Sequence, residues 1–232
     1  MQLFKITTGE INMKNKVLKC LQYLTGLLII AVGINISKMS GLGISPVSSI
    51  PRALEVIFGL SLGTMVIVVY CFLVLLQFIV LKKEFKPVNA LGVPVAIVFG
   101  WMVDLVGIDP NAVGHLLYGF PRPSGYFLQF LYLIVSIVII GIGVYVYLGA
   151  GLVPMPAEGL AMAISKKSGK QFGDCKSFVD VGLITIALIL QLVFLGGLSS
   201  FTGNTVVVRE GTILSALLVG QVVKTIRRIL SK

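Results

Sequence analysis

Charge is scarce in this sequence. Only 12% of its 232 residues are Asp, Glu, Lys or Arg, about half the usual soluble share, while 56% are apolar. One core of this chain length cannot bury so much apolar surface in water, and a mean hydropathy of +1.01 says the same. Lipid is therefore the expected solvent for most of the chain, which excludes a cytosolic enzyme, a secreted disulfide scaffold and a disordered polymer. Cysteine and histidine are scarce as well. Cys20, Cys71 and Cys175 make an odd number with no pairing spacing, so they read as reduced structural thiols. His115 is the single histidine, and no His/Cys/acid group has metal-ligand spacing. No Gly-x-x-x-x-Gly-Lys-Ser/Thr phosphate loop occurs, and the Gly-x-Gly at 41–43 follows an apolar run rather than a strand. Without a facing nucleophile and base, the expectation is no enzyme and no cofactor.

What is abundant is apolar sequence in long runs. A transmembrane helix needs roughly 20 mostly apolar residues. Four runs meet this plainly: Leu21–Met39, Thr64–Leu81, Tyr126–Leu148 and Phe178–Leu198. Ala90–Val103 and Gly211–Val223 are shorter and must recruit flanking residues or tilt little. Six spans are expected.

The net charge of +10 reads as topology rather than as nucleic-acid binding. With the N-terminus inside, Lys5, Lys14, Lys16 and Lys19 precede the first span; Lys82, Lys83 and Lys86 follow the second. Lys166, Lys167, Lys170 and Lys176 precede the fifth; Lys224, Arg227, Arg228 and Lys232 close the sixth. Only Lys38, Arg52, Arg122 and Arg209 then fall outside, so both termini are expected in the cytoplasm. No small-x-small cleavage site follows the first span, which reads as an anchor.

An internal repeat organises the chain. Shifted by 108, Gly33 falls on Gly141, Gly41 on Gly149, Gly43 on Gly151, Pro46 on Pro154 and Ala53 on Ala161. After a two-residue gap, Gly59 meets Gly169 and Gly63 meets Gly173; later, Gly100-Trp101-Met102-Val103 meets Gly220-Gln221-Val222-Val223. Three spans per half is an odd number, so the second half is expected upside down. The expected fold is thus all-α, with six transmembrane helices as two inverted three-helix repeats. Residues 1–19 form a cytoplasmic tail, 20–107 the first repeat, 108–125 an extracellular linker and 126–232 the second repeat. Inverted repeats recur in membrane carriers, with the ligand near midplane between the halves.

After its first span each half carries a Gly-Pro segment. The first is Gly41-Leu42-Gly43-Ile44-Ser45-Pro46-Val47-Ser48-Ser49-Ile50-Pro51-Arg52-Ala53-Leu54-Glu55; the second is Gly149-Ala150-Gly151-Leu152-Val153-Pro154-Met155-Pro156-Ala157-Glu158-Gly159-Leu160-Ala161. Ser45 before Pro46 reads as N-cap and first helical residue, opening a short apolar helix to about Phe58; the second helix runs from Pro156 to about Ser165. Both a re-entrant half-helix and an amphipathic helix on the membrane surface fit these segments. A buried half-helix N-terminus suits a small polar or anionic solute. Gly43, Ser45, Ser48, Ser49 and Arg52 of the first segment, with Met155, Ala157 and Glu158 of the second, are the expected substrate-binding residues. Arg52 and Glu55, three apart on a helix, fit either a local ion pair or an anion site. Glu158 favours a helix N-terminus, Asp180 has Lys176 four residues before it, and Asp104 and Lys224 read as interfacial. Gln77 and Gln191 are expected at comparable depths, as interhelical bonds or cavity lining.

The Gly41-Leu42-Gly43-Ile44-Ser45-Pro46 motif, its partner Gly149-Ala150-Gly151-Leu152-Val153-Pro154 and Gly100-x-x-x-Asp104 resemble signatures of the bacterial YczE/YyaS/YitT-like family of integral membrane proteins, over about residues 20–228. Met155-Pro156-Ala157-Glu158 departs from that family's Arg/Asp-containing run. The resemblance implies a plasma-membrane protein. Three functions stay open: a small-solute transporter working between the halves; an accessory protein without transport; and the substrate-binding subunit of an ATP-driven vitamin uptake complex. The expected partners are the lipid bilayer and a small-molecule solute, with a homo-oligomer or membrane partner left open and no nucleic acid.

Overall fold

The computed structural model describes residues 13–108, 114, 116–117, 119–196 and 206–230. The expected tail at 1–12, His115, much of the 108–125 linker and positions 197–198 of the expected fifth span lie outside the described residues. Every described element is a helix or turn. In chain order they are α1 (Met13–Ser40), α2 (Pro46–Phe58), α3 (Leu62–Leu81), a 3₁₀ turn (Lys82–Glu84), α4 (Pro87–Ala90), α5 (Gly92–Leu105), α6 (Tyr126–Gly149), α7 (Pro156–Ser168), α8 (Phe172–Phe194) and α9 (Glu210–Leu230).

Five helical stretches are long and apolar enough to cross a membrane: Lys16–Ser40, Leu62–Glu84, Pro87–Leu105, Tyr126–Gly149 and Phe172–Phe194. The expected sixth span is α9, whose uncharged stretch is only Gly211–Val223 between Glu210 and Lys224. The third span is longer than the sequence indicated, because Pro87 starts a short helix that α5 continues. Span five begins at Phe172, six residues before the expected Phe178, since Lys176 and Asp180 neutralise each other one turn apart at 2.5 Å.

Small residues set the central contact. Helices α1 and α6 lie antiparallel, Gly26 against Tyr147 and Gly33 against Ile140; a Cβ at Gly26 would come within 2.5 Å of the Tyr147 backbone nitrogen. Close helix approach through glycine is the membrane substitute for hydrophobic pressure. Gln22 reinforces it, donating to the Val146 carbonyl at 3.1 Å.

Around this pair the other helices pack in matching fashion. Helix α2 packs on α8 and α3, and α7 packs on α3 and α8; α5 lies against α1, and α9 against α6. One contact has no counterpart: α3 packs closely on α5, but α8 and α9 do not form a comparable contact. The α3–α5 contact depends on Gly63 and Gly100, where a Cβ would meet the other glycine's carbonyl at 2.1 and 2.6 Å. Asp104 completes it. Its carboxylate accepts the Ser61 hydroxyl at 2.6 Å and the Gly63 N–H at 2.7 Å, joining the end of α5 to the start of α3. Asp104 stands at the end of the third span, as expected, and this cap buries it against α3; Lys224 is exposed.

Candidate functional site

Helices α2 and α7 are both 13 residues long. Each starts on a proline, Pro46 or Pro156, where the missing N–H leaves no bond unmade. Each ends on a left-handed glycine, Gly59 at φ 67° or Gly169 at φ 69°. Pro46 to Pro156 and Gly59 to Gly169 are both separations of 110, so Pro46 corresponds to Pro156 rather than to Pro154. The two-residue gap therefore lies before the helices. The N-cap backbones agree too: Ser45 at φ −58°, ψ 150° and Met155 at φ −60°, ψ 152°. The Ser45 side chain makes no capping bond, donating instead to Ser48 Oγ at 3.2 Å.

Neither helix lies flat across the ends of its neighbours. The first turn of α2 packs at Leu183, the midpoint of α8, whose carbonyl lies 3.5 Å from Ser49 Oγ. Helix α7 begins beside Gln77, whose amide donates to the Pro156 carbonyl at 2.9 Å. It runs along α3 to Glu84, which binds Lys166 at 2.8 Å and Lys167 at 2.5 Å.

A cavity of about 270 Å³ lies along α7. Gly159, Met162, Ala163 and Lys166 form its helical wall, at the i, i+3, i+4, i+7 spacing of one face. Gln77 and Leu81 of α3 stand opposite, Val153 and Pro154 form one margin, and Glu84, Lys86, Asn89 and Gly92 the other. Two lysines against one glutamate give this cavity a net positive lining. A Cβ on Gly159 would enter it 2.7 Å from the Gln77 amide.

The corresponding face of α2, at an offset of 110, is Ser49, Arg52 and Ala53. Here there is packing instead of space. Ala53 and Ala187 form one apolar cluster with Val207 and Val208. Gln191 Oε1 accepts the N–H groups of Val207 and Val208 at 3.2 and 2.7 Å, and the Val207 carbonyl accepts the Ile44 N–H at 3.2 Å.

The residues expected to bind substrate are brought into the same interior, but they do not line the cavity. Gly43, at φ 106°, is held by close approach: a Cβ there would lie 2.5 Å from Thr212 Oγ1 and 2.9 Å from the Arg209 nitrogen. Ser48 and Ser49 are fully buried, and Ser49 donates to the Pro46 carbonyl at 2.6 Å. Arg52 meets Glu55 at 2.8 Å, the local pair its spacing allowed, and Lys38 also reaches that carboxylate at 2.5 Å. The Lys38 side chain is thus buried in the last turn of α1, the end of the first span that the sequence placed on the outer side. Met155 and Ala157 pack in the main core beside Leu160 and Ala161. Glu158 accepts the Tyr147 hydroxyl. The cavity face of α7 was missed by the sequence reading, although its helical spacing and Gln77 were visible signals.

A bundle of apolar helices around a cavity of this kind defines a multi-pass membrane protein. The chain belongs to the Family of unknown function (DUF6198), whose model matches residues 17–228. This match lends no support to the YczE/YyaS/YitT-like name that the motifs resembled. No curated protein and no solved structure matches the chain.

Proposed function

We propose that this protein is a carrier of small polar or anionic solutes, built from two inverted three-helix halves with α9 as the sixth span. On this reading α2 and α7 are re-entrant half-helices, and the solute site lies along them. The observation that carries it is a pair of corresponding clefts in opposite conditions. The cleft along α7 is open, whereas the one along α2 is filled by Val207 and Val208. A carrier exposes one face at a time, and largely rigid rocking of one repeat against the other exchanges the two. Matching contacts of α2 with α8 and α7 with α3, about the antiparallel α1–α6 pair, support such a relation.

The basic residues support the sidedness. Lys166 and Lys167 meet Glu84 just beyond the end of α3, beside Lys82, Lys83 and Lys86. Helix α9 runs parallel to α6, Gly211 near Leu133 and Val222 near Gly141, so Arg227 and Arg228 point to that same basic end. This end is the cytoplasmic one by the distribution of Lys and Arg, and the cavity opens toward it. A volume of about 270 Å³ is close to the roughly 300 Å³ lower limit of ordinary ligand pockets, so the solute is small. Lys86 and Lys166 favour negative charge on it.

The test is thermal stability of the purified protein against a panel of small carboxylates and phosphates. At least one should raise the melting temperature of the wild type. Ala163→Leu, which adds bulk to the cavity wall, and Lys166→Gln, which removes a cation, should each weaken that rise. No stabilisation by any compound, or equal stabilisation in both variants, would favour the accessory reading.

A further inference from the structure

Glu158 stands in the first turn of α7 and accepts the Tyr147 hydroxyl from α6. The Met155 N–H also reaches it, as in a reciprocal helix cap. Tyr23 of α1 lies edge-on to Tyr147, 5.9 Å between ring centres, and donates to the Val153 carbonyl at 2.8 Å. Tyr70 of α3, wholly buried, faces the same carboxyl. From α8 come Lys176 and Asp180, but Lys176 is held by Asp180 at 2.5 and 2.7 Å. Among the described residues Glu158 has no ion pair; Lys176 favours its charged form and Asp180 opposes it, and burial outweighs both. Burial therefore holds its carboxyl above the usual glutamate range; α7 itself does not span.

Helix capping does not require an acid here. The corresponding residue of α2 is Ser48, buried and uncharged, and that helix starts with the same backbone geometry. The surroundings of Glu158 serve both protonation states. The carboxylate accepts from Tyr147 and Met155, while a protonated carboxyl can donate to the Tyr147 oxygen, since a phenol both donates and accepts. Its chain neighbour Gly159 lines the cavity, as does Pro154, four residues before Glu158. Glu158 bonds Tyr147 of the second half, and its charge is felt by Tyr23 and Tyr70 of the first.

We propose that Glu158 is the proton-binding site that couples this carrier to a proton gradient, a role that rests on the carrier reading above. The proton comes from water at the open cavity and neutralises the carboxylate; it leaves to water when the other cleft opens. No other species changes.

Difference infrared spectroscopy of the protein in liposomes reads the site without a known solute. A carboxylic C=O band should appear on acidification with its midpoint above about 4.3, the free glutamate value. Glu158→Gln should abolish that band. Tyr147→Phe should keep it and raise the midpoint, because the carboxylate loses a donor. A band that survives Glu158→Gln, or a midpoint indifferent to Tyr147→Phe, would overturn the assignment, as would a midpoint displaced by sodium, which would mark a metal-ion site. Coupling is read by thiol labelling of Ala163→Cys in the cavity and Ala53→Cys in the filled cleft. Their labelling ratio should change several-fold across the midpoint in the parent and stay flat with Glu158→Gln. Alternating labelling that ignores pH would remove the coupling and leave the carrier standing. Absence of alternation at any pH would remove both.

Discussion

Three acids sit among the helices, two held by neutral donors and one by cations. Asp104 is a cap: with Ser61 and Gly63 as its donors, it ties α5 to α3. Asp104→Ala leaves the Gly63 N–H without its acceptor, while the Ser61 hydroxyl can turn to Thr64 Oγ1 at 2.7 Å, and it should lower unfolding stability by about 1–3 kcal/mol, measured by denaturation in detergent. Asp104→Asn, which keeps one acceptor, should fall between. Glu55 is a counter-ion, shared by buried Lys38 and Arg52. Glu55→Gln should destabilise by about 3–5 kcal/mol, more than Lys38→Met, because it removes the carboxylate from two buried cations at once. Glu158 has no cation of its own, which separates it from Glu55; like Asp104 it is held by one hydroxyl and one backbone N–H, from Tyr147 and Met155. The sequence showed the Arg52–Glu55 and Lys176–Asp180 pairs because they lie within one helical turn. Lys38 and Asp104 act across 17 and 43 residues of chain, and no local spacing signals such partners.

At the scale of elements, the two half-helices were the most legible part of the chain. Proline's ring fixes φ and glycine alone enters the left-handed region at little cost, so Pro46, Pro156 and Gly59 mark helix ends without tertiary help, whereas α7 runs to Ser168, past the expected Ser165, before Gly169 ends it. Gly59→Ala and Gly169→Ala should therefore destabilise alike, by about 1–2 kcal/mol each, since both force a Cβ into the left-handed region; parallel melting curves would check it. The repeat register was less legible. Gly-x-Gly runs at 41–43 and 149–151 match at 108, but the following link is longer in the second half, and only the helix starts reveal 110. Spans defined by apolar runs misplaced α8 for a related reason. Its first turns carry Asp174, Lys176 and Asp180, which hydropathy rejects and helical pairing tolerates. Topology has its own test: cysteines at Ser124 and Ser168 should label from outside and inside respectively, and labelling from one side would refute the inverted arrangement.

For the molecule as a whole, composition announced the apolar helices long enough to cross a membrane. The cavity could not be foreseen, because it depends on how α7, α3 and the link around Lys86 pack together, residues far apart in sequence. Val207 and Val208, in the link before α9, likewise meet Ala53 across more than a hundred residues, and short apolar residues carry no signal of where they pack. The central claim is that the clefts along α7 and α2 open in turn on opposite sides. Labelling with a membrane-impermeant thiol reagent tests it most directly, on protein whose Cys20, Cys71 and Cys175 have been replaced. Ala163→Cys should react from the cytoplasmic face, and Ala53→Cys more slowly from the outer face, each protected when the other is trapped open. Reaction of both from the same face, or of Ala53→Cys from neither, would contradict it.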